Sequence, residues 1–187
     1  MRKILKFLSI LSLGVISCAC MNTVAVHELN QKAAEYLEVG DINSAISRLE
    51  ASIDLDGNVY ESRYNLAVAY MQKNECQKAL DNILVASKLV KDDPAVYYTL
   101  GVSSVCVADK IFTIKKEDGT IEDVKFDTSL KYENAVNEYV DILKQANESF
   151  KIYTQLAPTA EDSQEIISLI RENEAKIENR LKSLEIK

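Results

Sequence analysis

The sequence predicts an all-α fold built from stacked helical hairpins, and three observations point to it. The residues that favour helices dominate the chain, while its 187 residues include only two prolines and five glycines. Apolar side chains recur at steps of three and four, which is the spacing of one helix face. Small residues recur at an interval of 34 positions. The length allows a buried core, and the net charge of −7 argues against nonspecific binding to nucleic acid.

Residues 1–17 are predicted to be a secretory signal peptide. Three cations precede an apolar run over residues 7–16, which is too short to span a membrane. The stretch VISC that follows resembles a bacterial lipobox. This resemblance implies that Cys18 becomes the lipidated first residue of the mature protein, with Cys20 as the second candidate. Secretion without a lipid and an uncleaved anchor are the alternatives.

A repeat follows the signal. Residues 26–59 and 60–93 align in register, and a third segment starts at residue 94. The eighth and twentieth places hold small residues, and the fifteenth holds a residue that tolerates positive φ at a helix end. These places are occupied by Ala33, Ala67 and Gly101, by Ala45 and Ala79, and by Gly40 and Asn74. Small residues let two antiparallel helices approach closely, and each hairpin must then bury its apolar face against the next.

This pattern resembles the tetratricopeptide repeat, a helix–turn–helix unit of 34 residues. The stretches YNLAVAY and GDINSAI are the most similar to it. The resemblance implies a tetratricopeptide-repeat α-solenoid of about three repeats, over residues 26–59, 60–93 and 94–158. A β-hairpin insertion interrupts the third repeat, and a capping helix over residues 159–187 completes the predicted fold.

The predicted β-hairpin occupies residues 111–126. Two β-prone runs flank Asp118 and Gly119, a pair typical of a two-residue hairpin turn. Pairing about this turn would place Lys115 opposite Glu122, which is a favourable cross-strand pair. We therefore expect a projecting hairpin between the two helices of the third repeat.

The second helix of the third repeat is predicted to be long. From about residue 128 to 157 no glycine or proline interrupts it, and one face is apolar throughout. A helix of that length extends about 45 Å, so its first part, roughly 128–143, must overhang the stack. The hairpin is the expected cover for this part, and a partner protein is the alternative. The capping helix is expected to start with the capping-box-like pair Thr159 and Asp162.

Resemblance to tetratricopeptide-repeat proteins implies a concave groove lined by the first helix of each repeat. The corresponding places are mostly apolar and lack the lysines with which some members grip an acidic C-terminal peptide. They are Asn30, Ala34 and Leu37 in the first repeat, Tyr64, Val68 and Met71 in the second, and Tyr98, Val102 and Val105 in the third. The expected ligand is an extended or helical apolar peptide. The alternative is that the chain's own N-terminal segment or long helix fills the groove.

Two cysteines of the repeats are predicted to lie on the same side of the stack. Cys76 starts the second helix of the second repeat, and Cys106 lies near the end of the next helix. Because neighbouring helices are antiparallel, these two ends are close. An oxidising compartment would allow a disulfide between them, and two free thiols are the alternative.

The sequence favours a non-catalytic function. It contains no metalloprotease, hydrolase or nucleotide-binding motif, and neither a metal nor a cofactor is expected. The expected function is an adaptor or scaffold that is lipid-anchored in the bacterial cell envelope and binds an envelope protein or peptide. Ala19 after Cys18 favours the outer membrane, facing the periplasm, over inner-membrane retention; a secreted or periplasmic protein is the alternative. A structural envelope protein that self-assembles is the competing function.

Overall fold

The computed structural model describes the backbone of residues 22–115 and 120–185. Helices succeed one another as hairpins, and a small antiparallel β-hairpin interrupts the third of them. The elements are α1 (residues 22–38), α2 (Ile42–Leu55), α3 (Tyr60–Gln72), α4 (Cys76–Leu89), α5 (Pro94–Phe112), β1 (Thr113–Lys115), β2 (Ile121–Asp123), α6 (Ser129–Leu156) and α7 (Ser163–Glu185). Over these described ranges, no helix combines the length and apolarity needed to cross a bilayer.

Short turns with defined caps separate the helices of each hairpin. Gly40 and Asn74, at equivalent places of the first two repeats, have φ of 78° and 58°, as the pattern predicts. The Asp41 carboxylate then caps α2 by accepting from a backbone amide at 3.1 Å. Asp93 caps α5 in the same way, and Pro94 occupies the first turn, where its missing N–H costs nothing. These two caps fix where α2 and α5 begin, whereas α3 and α4 begin without a side-chain cap.

The small residues of the repeat lie in the seams between helices. Ala33, Ala45, Ala67 and Ala79 have no exposed surface at all. Larger side chains fill the space beside them. Two clusters result, one joining α1, α2, α3 and α4 and the next joining α3, α4 and α5. The core is therefore continuous along the stack, as expected when each hairpin shields its neighbour.

Helix α6 has the predicted length, and of the predicted hairpin segment 111–126 only the two ends, with Phe112 and Phe126, cover its overhanging part. The residues of β2 are all exposed, so the hairpin shields little. The apolar face instead packs against Phe112 at the end of α5, against Phe126 after the hairpin, and against Ile177 and Leu184 of α7. The reason is that α5 and α7, at 19 and 23 residues, are also longer than a usual repeat helix and accompany α6.

An aromatic cluster holds the far ends of these three helices together. The Phe112 ring lies 5.7 Å from that of Phe126, 6.1 Å from that of Tyr132 and 5.3 Å from that of Tyr139, each edge to face. The guanidinium of Arg180 lies 3.8 Å from the centre of the Phe112 ring, a cation–π contact. Helix α7 is thus fixed against α5 and α6 well beyond the part that caps the repeats.

The hairpin is confirmed, but its predicted register is wrong. Lys115 pairs with Ile121 and Ile114 pairs with Glu122, one residue away from the expected pairing of Lys115 with Glu122. Residues 116–120 lie between the paired strands, and the predicted turn at Asp118 and Gly119 falls outside the described residues. Register is specified by burying one face of a strand, and here Ile114 and Ile121 are 54% and 69% exposed. Burial therefore could not fix the register.

Candidate functional site

The residues predicted to line the groove on the first helices of the first two repeats include half-buried apolar side chains. Leu37 of α1 and Met71 of α3 pack on the core shared by the first two hairpins. Tyr64 packs on the next core cluster, and Val68, one turn further along α3, is also half-buried. Each of these side chains therefore has one surface fixed by the core and another in contact with solvent.

Like Ala34 of α1, Tyr98 of α5 is an exposed residue among those predicted to line the groove. Its surface is 40% accessible, although its ring contacts two buried rings of α6. The centre of the Tyr98 ring is 6.5 Å from that of Phe150 and 5.5 Å from that of Tyr153. One part of the ring is thus held by packing, and the rest faces the groove.

Asn30 does not face the groove as predicted. Its side-chain amide lies at the junction of the first two hairpins, where Nδ2 donates to the hydroxyl oxygens of Ser52, at 3.1 Å, and Ser62, at 2.8 Å. Nδ2 also donates to the backbone carbonyl of Val26 at 3.0 Å. The amide oxygen is buried and has no hydrogen-bond partner. A polar residue in this place joins α1 to α2 and α3, and it is unavailable to a ligand.

The chain itself covers part of the predicted groove, at the residues contributed by the third repeat. Val102 and Val105 are half-buried and pack in one cluster with Leu169 and Ile170 of α7. The covering element is therefore α7, whereas the sequence suggested the N-terminal segment or the long helix. The predicted groove residues on α1 and α3 do not share a cluster with residues of α7.

A cavity of about 260 Å³ opens between Tyr98 and the first turns of α7. Three carboxylates line it, from Asp162, Glu165 and Glu172, and Leu169 lies among them. Ile166 and Ser168 complete the lining. Within the part of the chain described, no group of three or more potential ligands is placed to hold a metal ion.

The contribution of α7 to the cavity beside Tyr98 was not predicted, although the repeat register contains the signal for it. Pro158 occupies the thirty-second place of the third repeat, so a fourth segment would start at residue 161. The groove places of that segment, the second, fifth, ninth and twelfth, are then Asp162, Glu165, Leu169 and Glu172. All four line the cavity beside Tyr98. Helix α7 thus acts as the first helix of a further, incomplete repeat.

Hydrogen bonds and ion pairs set the electrostatics of this cavity. The Tyr153 hydroxyl donates to Asp162 at 2.6 Å, and this bond, together with burial, raises the pKa of Tyr153 to about 12. Glu172 pairs with Lys176 at 2.9 Å, which raises the pKa of that lysine. Among the residues described, Glu165 has no ion-pair partner. The cavity therefore has negative charge that the protein only partly neutralises.

The predicted cysteine pair comes together at the junction of the second and third hairpins. Cys76 is 1% exposed, its Cα lies 5.7 Å from that of Cys106, and the two sulfur atoms are at bonding distance. A Cα separation near this value is typical of disulfides. The lipidation candidates Cys18 and Cys20 precede the first described residue, so their environment is not part of this description.

Comparison with known proteins supports the fold through structure alone. No family model matches the sequence, and no curated protein matches it. The second tetratricopeptide-repeat domain of human RPAP3, solved with the HSP70 peptide SGPTIEEVD, is similar with a TM-score of 0.57 at 15% identity, over 80% of this chain and 98% of that one. MamA is similar with a TM-score of 0.58 at 20% identity, over 88% of this chain and 70% of that one.

A third similar structure is the type III secretion translocator chaperone SycD of Yersinia enterocolitica. Its TM-score is 0.54 at 12% identity, over 81% of this chain and 92% of that one. At such low identities these likenesses define the fold, which is the helical solenoid of tetratricopeptide-repeat domains. They say nothing about the acid-lined cavity at Tyr98, which is formed by this chain's own side chains.

Proposed function

We propose that the protein is a non-catalytic adaptor of the bacterial cell envelope that binds a segment of a partner protein in its concave groove. The observation that carries this proposal is the row of half-buried apolar side chains formed by Tyr64, Val68, Met71 and Tyr98. Their inner surfaces are fixed by the core, so a ligand would bind a preformed surface and would lose little free energy in ordering it.

Two further considerations support a peptide or helix as the ligand. The groove is built from rigid helices at a regular spacing, which suits an elongated segment with regularly spaced anchors. The RPAP3 domain that shares the fold was solved with a peptide bound. Aromatic residues such as Tyr64 and Tyr98 are common anchors of binding energy at such interfaces.

Attachment to the envelope is the second part of the proposal. It rests on the cationic and apolar start of the chain and on the lipobox-like VISC stretch ending at Cys18. Several acyl chains on Cys18 would hold the repeats firmly at the membrane, because each buried CH₂ contributes ~0.8 kcal/mol. We propose the outer membrane as the site, with the groove facing the periplasm.

Self-assembly is the second candidate function. The packing of α7 in one cluster with Val102 and Val105 favours it. A chain that covers part of its own groove leaves less surface for a ligand. Light scattering of the full-length protein in detergent distinguishes the two functions. A monomer across a wide concentration range supports the adaptor, and a concentration-dependent oligomer supports self-assembly.

Selection from a random peptide library on the immobilised full-length protein tests the adaptor. We expect binding peptides, and we expect Tyr64→Ala/Tyr98→Ala to abolish their binding while the circular dichroism spectrum is retained. The matched control is Leu55→Ala/Leu89→Ala, which removes two side chains that are each 41% exposed but lie at the ends of second helices. Binding that survives the tyrosine substitutions, or is lost equally in the control, would show that the groove is not the site.

A further inference from the structure

We propose that the cavity beside Tyr98 receives a lysine or arginine side chain of the partner polypeptide, so that the groove selects basic segments flanked by apolar residues. This inference rests on the proposed function and specifies the chemistry of the ligand. Its two components are an exposed aromatic face and a set of carboxylates around it.

The aromatic component is the Tyr98 ring. Contacts with Phe150 and Tyr153 hold it in place, and 40% of its surface remains accessible. A cation over such a ring is attracted to its negative face. The protein makes this kind of contact internally, with Arg180 lying 3.8 Å from the centre of the Phe112 ring. The cavity volume of about 260 Å³ is many times the ~30 Å³ of one water molecule, so a long side chain can enter.

The carboxylate component comes from α7. Asp162, Glu165 and Glu172 all border the same cavity, and Glu165 has no ion-pair partner in the described ranges. Lys176 neutralises only Glu172 directly. A partner ammonium or guanidinium group would gain charge-assisted hydrogen bonds here.

Apolar side chains beside the cavity specify what flanks the cation. Ile166 and Leu169 lie within the lining. An acidic segment would place like charges against the carboxylates of α7, which is unfavourable. The peptide in the RPAP3 complex ends in EEVD, and the groove described here has the opposite charge preference at its α7 end.

The experiment compares the peptides that the full-length protein selects from a random library. We expect enrichment of lysine or arginine next to an apolar residue. The best labelled peptide should bind at least about fivefold more weakly to Glu165→Gln/Glu172→Gln, and its affinity should fall with added salt. The matched control is Glu174→Gln/Glu178→Gln, which removes the same charge from α7 residues that line a different cavity. This control should bind like the unchanged protein.

The outcomes separate this inference from the proposed function. Selected peptides that lose binding in Tyr64→Ala/Tyr98→Ala but show no enrichment of basic residues would overturn the cation site and leave the groove intact. Equal weakening by the two pairs of glutamine substitutions would also overturn it, because the effect would then come from net charge alone. A library that gives no groove-dependent peptide at all would instead contradict the adaptor function.

Discussion

Gly101 and Phe150 approach so closely that a Cβ atom on Gly101 would lie 2.4 Å from the Phe150 ring. Both residues are buried where α5 packs on α6. The first two repeats have Ala33 and Ala67 in the place of Gly101, and both alanines are fully buried. The third repeat therefore combines the smallest residue on one helix with an aromatic ring on the other.

Gly101→Ala should lower the free energy of unfolding by about 1–2 kcal/mol. Overpacking a core typically costs ~1–3 kcal/mol, which outweighs the gain of up to ~1 kcal/mol in helix propensity. Urea denaturation followed by circular dichroism measures the change. Gly57→Ala is the control, because an added Cβ there would have its nearest neighbour at 3.6 Å. The double variant Gly101→Ala/Phe150→Leu should be destabilised by less than the sum of the single changes, and strict additivity would contradict the contact.

Alkaline pH should destabilise the fold through two tyrosines. Burial and a hydrogen bond to Glu50 raise the pKa of Tyr70 to about 12, and the bond to Asp162 raises that of Tyr153 to about 12. Both values exceed the ordinary 10.0. The folded state therefore retains these protons more strongly than the unfolded state, and the stabilisation is complete below about pH 10 and lost as the pH rises through about 12.

Urea denaturation at a series of alkaline pH values checks this expectation. The free energy of unfolding should fall between about pH 10 and 12, and Tyr153→Phe, which has no phenolic proton, should fall less steeply. An identical slope for Tyr153→Phe and the unchanged protein would show that the bond between Tyr153 and Asp162 does not contribute.

The cysteine pair should form a disulfide in the exported protein. Peptide mapping without reductant should yield a linked peptide containing Cys76 and Cys106. The two residues are 30 positions apart, and closing a loop of that size should stabilise the fold by about 3–4 kcal/mol on the chain-entropy model. Adding reductant should lower the free energy of unfolding of the unchanged protein by this amount. It should not change that of Cys76→Ala/Cys106→Ala. Two free thiols in protein isolated from the envelope would contradict the prediction.

Lipidation should depend on Cys18. Cells that express the protein and grow with an alkyne-labelled fatty acid should incorporate the label into the unchanged protein and into Cys20→Ala, but not into Cys18→Ala. The lipobox-like spacing is the reason, since VISC ends at Cys18. Labelling that is lost only in Cys20→Ala would show that Cys20, the second candidate, carries the lipid.

The repeats could be predicted from sequence because their signals are local and recur. Small residues at a fixed interval define the helix seams, and Gly40 and Asn74 mark two of the turns. The hairpin register was not predictable, because Ile114 and Ile121 are exposed and neither face of the hairpin is fixed by burial. The cover of the overhanging part of α6 depends on the far end of α7, where contacts such as that between Tyr132 and Ser183 join residues 51 positions apart.

The positions of the candidate site follow from the sequence only in part, for similar reasons. The aromatic and aliphatic groove residues follow from their places in the repeat, whereas the role of Asn30 depends on Ser52 and Ser62, which lie in two other helices. The acidic residues of α7 were missed because the hairpin insertion breaks the interval that would have extended the register to Glu165 and Glu172. Continuing the count from Pro158 recovers both positions.

The claim that the stacked hairpins present a groove to a partner is tested most directly by photocrosslinking in living cells. A photoreactive phenylalanine derivative would replace Tyr64 at the predicted groove or, in a separate variant, Leu89, which is 41% exposed and lies at the end of α4. The account predicts a discrete crosslinked partner from position 64 and none from position 89. The same product from both positions, or a product from position 89 alone, would contradict it.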